Sequence, residues 1–236
     1  MILAFIPARG ASKRLPRKNL KLLDGHPLIS YSIAVAKKVK AIDRCVVSTE
    51  DPEIARVALS YGAEVIDRPK TLADDFATTA SVAKHTLEQL INQNERPDLL
   101  VTLQPTNPLR PVSLVEKAIE LFESYTNTDS VISVTKSDRK LGMIKNSYFI
   151  PDYPAGTRSQ DMPATYFENG LIYVSRPELV TDKCDLFGKR ILPLITEPLY
   201  SKGDIDTKLD FEIAEFLFRK YREHFKYEPV CSKEIT

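Results

Sequence analysis

The sequence holds no apolar run near the roughly 18–20 residues that a membrane-spanning helix needs, so a membrane is not an expected partner. It also lacks a strong net charge: 33 Lys and Arg against 32 Asp and Glu leave +1 over 236 residues. A chain that binds nucleic acid is more often basic overall, so nucleic acid is not expected either. Cysteine is scarce. Cys45, Cys184 and Cys231 lie far apart, with neither metal-ligand spacing nor a disulfide framework. The opening MILAFIPARG has no basic leading region and no signal-length apolar core. Together these absences give the expectation of a cytoplasmic protein with one sizeable core, or a core plus a small appendage. The common glycine-rich phosphate motifs are missing too. Residues 7–20 hold one glycine, Gly10, and fit neither G-x-x-x-x-G-K-[ST] nor G-x-G-x-x-G.

What stands in their place is charge. Arg9, Lys13, Arg14, Arg17, Lys18 and Lys21 all precede the first carboxylate, Asp24. They follow the apolar run ILAFI, which reads as a buried first strand. A loop leaving the carboxyl end of a strand in an open α/β sheet is where ligands bind. Small residues there let backbone N–H groups reach phosphate oxygens, and the cations neutralise them. The loop therefore reads as a polyphosphate site built on Arg and Lys, against the plainer reading of a solvated charged loop.

Strand-like and helical runs alternate along the chain. Strands are expected at 2–6, 45–49, 63–69, 99–105, 130–135, 170–174 and 191–196. Helices are expected at 27–40, 52–62, from 77, over VSLVEKAIELFESY, and over KLDFEIAEFLFRKYREHF at the end. This alternation argues for an α/β fold with a parallel sheet covered on both faces. The pattern breaks at about 136–169, a polar, turn-rich stretch typical of a lid, a binding loop or an oligomerisation arm.

Four further segments carry candidate chemistry. In Asp204-Ile205-Asp206-Thr207, residues two apart face the same way if the segment is extended. Both carboxylates would then attract a hard cation such as Mg²⁺, while Ile205 faces the core. Thr207 with Asp210 also resembles a capping box, and a purely turn or cap role is the alternative. LQPTNPLR at 103–110 places Gln104 and Thr106 where they can bond a ligand, on a turn stiffened by two prolines. DRPKTLADDFATT, with Arg68, Ala77 and Thr79, reads first as a helix start capped by Thr78 or Thr79. Arg158, Asn169 and Tyr173 flank the insertion, where an Arg can clamp a carboxylate.

Taken together these residues resemble the acylneuraminate cytidylyltransferases, the synthetases of CMP-activated nonulosonic acids. IPARGASKRLPRKN is similar to that family's IPARGGSKGIPKKN, and LQPTNPLR to its LQPTSPLR. Glu168-Asn169-Gly170-Leu171-Ile172-Tyr173 matches its ENG-x-IY, and D-I-D-T at 204–207 is intact. The matches run in order across nearly the whole chain. The resemblance implies a single Rossmann-like nucleotidyltransferase domain over 1–236, with a mostly parallel sheet, helices on both faces and a dimerisation arm inserted at about 136–169. It implies transfer of CMP from CTP to a sialic, legionaminic, pseudaminic or KDN-type acid, with Mg²⁺, in a homodimer.

By the same resemblance Arg9, Ser12 and Lys13 hold the triphosphate, with Gly10 and Ala11 beside them and Lys18 near the reacting phosphate. Arg9, Lys13 and Lys18 are then the catalytic cations. Asn19 contacts cytosine or ribose, and Arg68, Ala77 and Thr79 line the base pocket. Gln104 faces the sugar with Thr106, Arg158 takes its carboxylate, and Asn169 and Tyr173 lie nearby. Asp204 and Asp206 bind Mg²⁺. The rival functions are a KDO-type cytidylyltransferase, a sugar-phosphate nucleotidyltransferase and a non-catalytic nucleotide-binding module.

Overall fold

A computed structural model of the chain describes residues 1–225, 227 and 229–231. The strands are β1 (Ile2–Pro7), β2 (Leu22–Leu23), β3 (His26–Pro27), β4 (Arg44–Thr49), β5 (Glu64–Asp67) and β6 (Leu99–Thr102). They continue with β7 (Ser130–Ser137), β8 (Gly142–Lys145), β9 (Tyr148–Pro151), β10 (Thr165–Ser175) and β11 (Ile191–Thr196). The helices are α1 (Leu28–Lys38), α2 (Pro52–Ser60), α3 (Thr79–Asn92), α4 (Val112–Glu123), α5 (Pro177–Lys183), α6 (Pro198–Ser201) and α7 (Lys208–Lys220). Seven strands form the main sheet, in the order β11-β7-β10-β6-β1-β4-β5. The expected mostly parallel sheet is there, with one exception. β10 runs antiparallel to both β6 and β7.

β1 shows why the sheet is covered on both sides. Successive side chains of a strand point to opposite faces. Ala4 and Ile6 pack into the core shared with α1, α2, α4 and α7, while Leu3 and Phe5 pack against Val82, Ala83, Leu87 and Leu90 of α3. All four β1 side chains are fully buried, and burying a large apolar side chain stabilises by roughly 1.5–3 kcal/mol. The chain leaves β1 for β4 and β5 on one side, then returns to β6 on the other. The loops after β1, β4, β5 and β6 therefore open at one edge, around the point where strand order reverses. That is the ligand-binding crevice of such sheets.

Several boundaries differ from the sequence reading. Pro27 belongs to β3 and caps α1 rather than opening it. The last helix stops at Lys220 and is followed by a 3-10 turn over Arg222–Phe225. The largest difference is in the 136–169 insertion. It contains the β8–β9 hairpin and nearly half of β10, which extends back to Thr165. A bulge between Glu168 and Tyr173, with Gly170 at φ +68°, interrupts that strand.

Candidate active site

The first loop folds back over the end of β1 because its one glycine permits a close approach. A Cβ on Gly10 would sit 2.5 Å from Asp51 Oδ2. The Gly10 N–H donates to Glu50 Oε1 at 2.7 Å. That one amide is thus held by a carboxylate of the chain and is not free for phosphate. Ala11 is exposed beside it. Cationic side chains add anion-binding capacity. Arg9, Ser12, Lys13, Arg14 and Lys18 line an open cleft of about 460 Å³ at the sheet's carboxyl edge. The remaining two cations turn away. Arg17 pairs with Asp51 at 2.5 Å and with Glu53 near the start of α2, and Lys21 lies over the Phe211 ring.

Each cleft cation already faces a carboxylate. Arg9 donates to the Asp74 carbonyl at 2.9 Å and to Asp75 at 3.1 Å, and Lys13 also pairs with Asp75. On the other side, Lys18 Nζ donates to the Ile205 carbonyl at 2.7 Å and to Asp206 Oδ1 at 3.0 Å, and Arg14 meets Asp206 Oδ2 at 2.8 Å. Lys18 and Asp206, 188 residues apart, are thus brought into contact at one wall of the cleft. In the 204–206 segment Asp206 lines the cleft and Asp204 does not. Ile205 is fully buried, and Thr207 and Asp210 form the capping box that starts α7. Asp204 is exposed as a residue. Its carboxyl is nevertheless pushed above the ordinary carboxylate range, first by the protein atoms around it and then by the charge of Asp206.

The opposite wall comes from the loop after β5. Arg68 is buried, donates to the Ser48 carbonyl at 2.6 Å and the Ser48 hydroxyl at 3.3 Å, and lines the cleft. Burial lowers its pKa. Ala77 and Thr79 line the same wall, and Thr78 caps α3. Asn19 also lines the cleft, with its amide donating to the Arg9 carbonyl at 3.0 Å.

Gln104 and Thr106 close the cleft floor. Gln104 is held by a residue that sequence reading left unassigned. Arg110 is fully buried and donates to the carbonyls of Leu171 at 2.6 Å and Gln104 at 2.9 Å, and to Ser32 Oγ at 3.0 Å. Burial lowers its pKa to about 10, which still leaves it charged at neutral pH.

Besides Gly10 and Ala11, four candidates do not line this cleft: Asp204, Asn169, Tyr173 and Arg158. Asn169 uses its amide within the sheet: it donates to Thr135 and Thr196, and accepts from Ser133 and Leu171. It pins the β10 bulge and has no bonding capacity left for a sugar. Tyr173 is buried and donates to Glu168 at 2.5 Å, and burial first of all raises its pKa. Arg158 lies in the inserted arm, paired with Asp161 at 2.7 Å. Asp74, Asp75 and Arg14 were within quoted segments yet unassigned. Only the bond of Arg9 to the Asp74 carbonyl and the side-chain pairings of Asp75 and Arg14 mark them, and those are tertiary facts.

A protein-family model described as Cytidylyltransferase matches residues 3–234. The chain belongs to the cytidylyltransferase family. Among curated cytidylyltransferases it is 33% identical over 228 residues to pseudaminic acid cytidylyltransferase of Campylobacter jejuni, covering 94% of this chain and 97% of that one. It is 32% identical to CMP-N,N'-diacetyllegionaminic acid synthase of Legionella pneumophila, covering 94% and 98%. It is 31% identical to N-acylneuraminate cytidylyltransferase of Escherichia coli, covering 90% of this chain but only 51% of that longer protein. The fold is that of CMP:2-keto-3-deoxy-manno-octonic acid synthetase complexed with CTP, with a TM-score of 0.71, 17% identity and coverage of 93% and 98%. Among the described residues of this family member, no helix is long and apolar enough to cross a membrane.

Proposed function

We propose that this cytidylyltransferase joins CMP from CTP to the anomeric hydroxyl of a nonulosonic acid and releases pyrophosphate. The observation that carries the reading is the meeting of Arg9, Lys13, Arg14 and Lys18 with Asp206 around one cleft at the strand-order reversal. The curated relatives supply the sugar class, since they are named for neuraminic, pseudaminic and legionaminic acids. The anomeric oxygen attacks the α-phosphorus, the bond to the β-phosphate oxygen breaks, and the hydroxyl proton is lost. Charge builds on the leaving pyrophosphate, and fixed donors aimed at it lower the barrier. Arg9 and Lys13 take that end. Lys18 has three N–H donors, two of which bond Ile205 and Asp206, leaving one for a phosphate oxygen. Arg68, Ala77 and Thr79 hold the base and Asn19 the ribose side. Gln104 and Thr106 face the sugar.

The residues present fit Mg²⁺. Among the described residues no group of three or more His, Cys, Asp or Glu forms a protein cage. Mg²⁺ does not ask for one: it is held by one or two carboxylates, phosphate oxygens and water. The crowding of Asp204 against Asp206 is what a cation would relieve. Asp204 and Asp206 would hold the ion, which when bound supplies charge neutralisation at the phosphates.

The arm completes the reading as a homodimer. Met143, Ile144, Tyr148 and Phe149 of the β8–β9 hairpin are all exposed, and a two-stranded hairpin is marginal without packing. A second copy supplies that cover, which leaves Arg158 on an arm shared between protomers. A cytoplasmic location is the reading that goes with the use of CTP. Phosphorus NMR of the chain with CTP, Mg²⁺ and each sugar acid in turn tests the activity. A CMP-sugar phosphodiester signal is expected with at least one acid, and none with UTP or ATP. Nucleotide binding with no new phosphodiester for any acid would leave a non-catalytic module.

A further inference from the structure

Asn107 is fully buried beneath the cleft floor, and both N–H groups of its amide are engaged at 3.3 Å. One donates to the Gly170 carbonyl in the β10 bulge, the other to Asp204 Oδ1. Its own Oδ1 is buried with no hydrogen-bond partner. An orphaned buried acceptor costs stability, and most native structures avoid one. The loop does not need Asn107 to stay in place. Arg110 ties it to Leu171, Ile205 N–H donates to the Thr106 carbonyl at 2.9 Å, and Tyr227 donates to the Pro108 carbonyl. What Asn107 adds is a grip on one carboxylate.

The two carboxylates are held differently. Asp206 is bonded by two cations, Lys18 and Arg14. Asp204 is bonded by neutral donors, the Asn107 amide and the Thr106 hydroxyl. A cationic donor competes with the ion for its carboxylate, as Lys18 and Arg14 do at Asp206, and an acidic neighbour would repel the carboxylate. An amide fixes direction and leaves the charge intact. Gly170 sets the amide's other end, where a Cβ would stand 3.4 Å from Asn107 Nδ2.

We propose that Asn107 is a positioning residue that aims the Asp204 carboxylate at the cation. This rests on the reading that Asp204 and Asp206 hold Mg²⁺. Groups that orient metal ligands typically change affinity 10–100-fold when removed.

The test is a titration of Mn²⁺ alone into the full chain, followed by electron paramagnetic resonance, for wild type, Asn107→Ala, Asn107→Ser and Asp204→Asn. Asn107→Ala is expected to weaken Mn²⁺ binding about 10-fold. Its KM for CTP at saturating Mg²⁺ should stay close to wild type, while loss of the buried bond to the Gly170 carbonyl lowers its thermal midpoint. Asn107→Ser retains one donor and should fall in between. If Asn107→Ala does not fold, Asn107→Ser is read against wild type on the same scale. Wild-type Mn²⁺ affinity in both Asn107 variants, with loss in Asp204→Asn, overturns the positioning role. Wild-type affinity in Asp204→Asn overturns the metal reading itself.

Discussion

Lys18 is the most committed single side chain in the cleft. It is only 12% exposed, and its ammonium joins the first loop to the 205–206 segment. Lys18→Ala is expected to cut kcat/KM by about 10²–10³-fold, the scale of losing one donor that acts in the transition state. Turnover near wild type in steady-state kinetics would remove it from the reaction. Arg110 works at the same scale but through stability. Its removal leaves the Leu171 carbonyl without its side-chain donor, leaves the Gln104 carbonyl only the longer bonds from Ser32 and Asn107, and opens a cavity. Arg110→Ala should cost at least about 3 kcal/mol in urea unfolding. Lys18 was legible in the sequence because it sits in a cation cluster after a strand. Arg110 was not, because an arginine in a proline-stiffened turn gives no sign that the fold buries it completely.

At the scale of elements, the first loop and the 70–79 segment form an ion-paired seam across the cleft mouth. Asp75 is held below the ordinary carboxylate range, first by its bond to Lys13 and then by the charges of Lys13 and Arg9. A lowered carboxylate pKa means the pairs are intact above the usual carboxylate range and fail only as pH falls through the lowered value. At neutral pH a triphosphate must therefore displace a charged Asp75. Exposed ion pairs are worth little, so Asp75→Asn should lower the KM for CTP by roughly 1.5–5-fold. An unchanged or higher KM would show that the seam does not compete with the nucleotide.

Strands with clear apolar runs, such as β1 and β6, and the i, i+2 pattern of DIDT could be read directly. β8 and β9 could not. Each is four residues long with every residue exposed, so there is no inside-outside alternation to detect. The β10 bulge was hidden for another reason. It depends on Asn169 bonding to Ser133, Thr135 and Thr196 from neighbouring strands.

For the whole molecule, the reversal of strand order around β1 gathers four loops at one edge and so creates the cleft. The alternation of strands and helices made the α/β class readable, but the antiparallel β10 is set by pairings that no local pattern encodes. The arm is the other global feature. Ile144→Asp combined with Tyr148→Asp should shift the species seen by light scattering from about twice 26.7 kDa to the monomer mass. A wild type that runs as a monomer would remove the dimer from the reading.

The central claim is that the loop cations catalyse release of pyrophosphate from CTP when a nonulosonic acid is present. Its most direct test is continuous measurement of pyrophosphate with CTP, Mg²⁺ and each sugar acid, for wild type and Lys18→Ala side by side. The account predicts sugar-dependent release by the wild type and about 10²–10³-fold less by the variant. Release that needs no sugar acid, or that Lys18→Ala sustains at the wild-type rate, would contradict it.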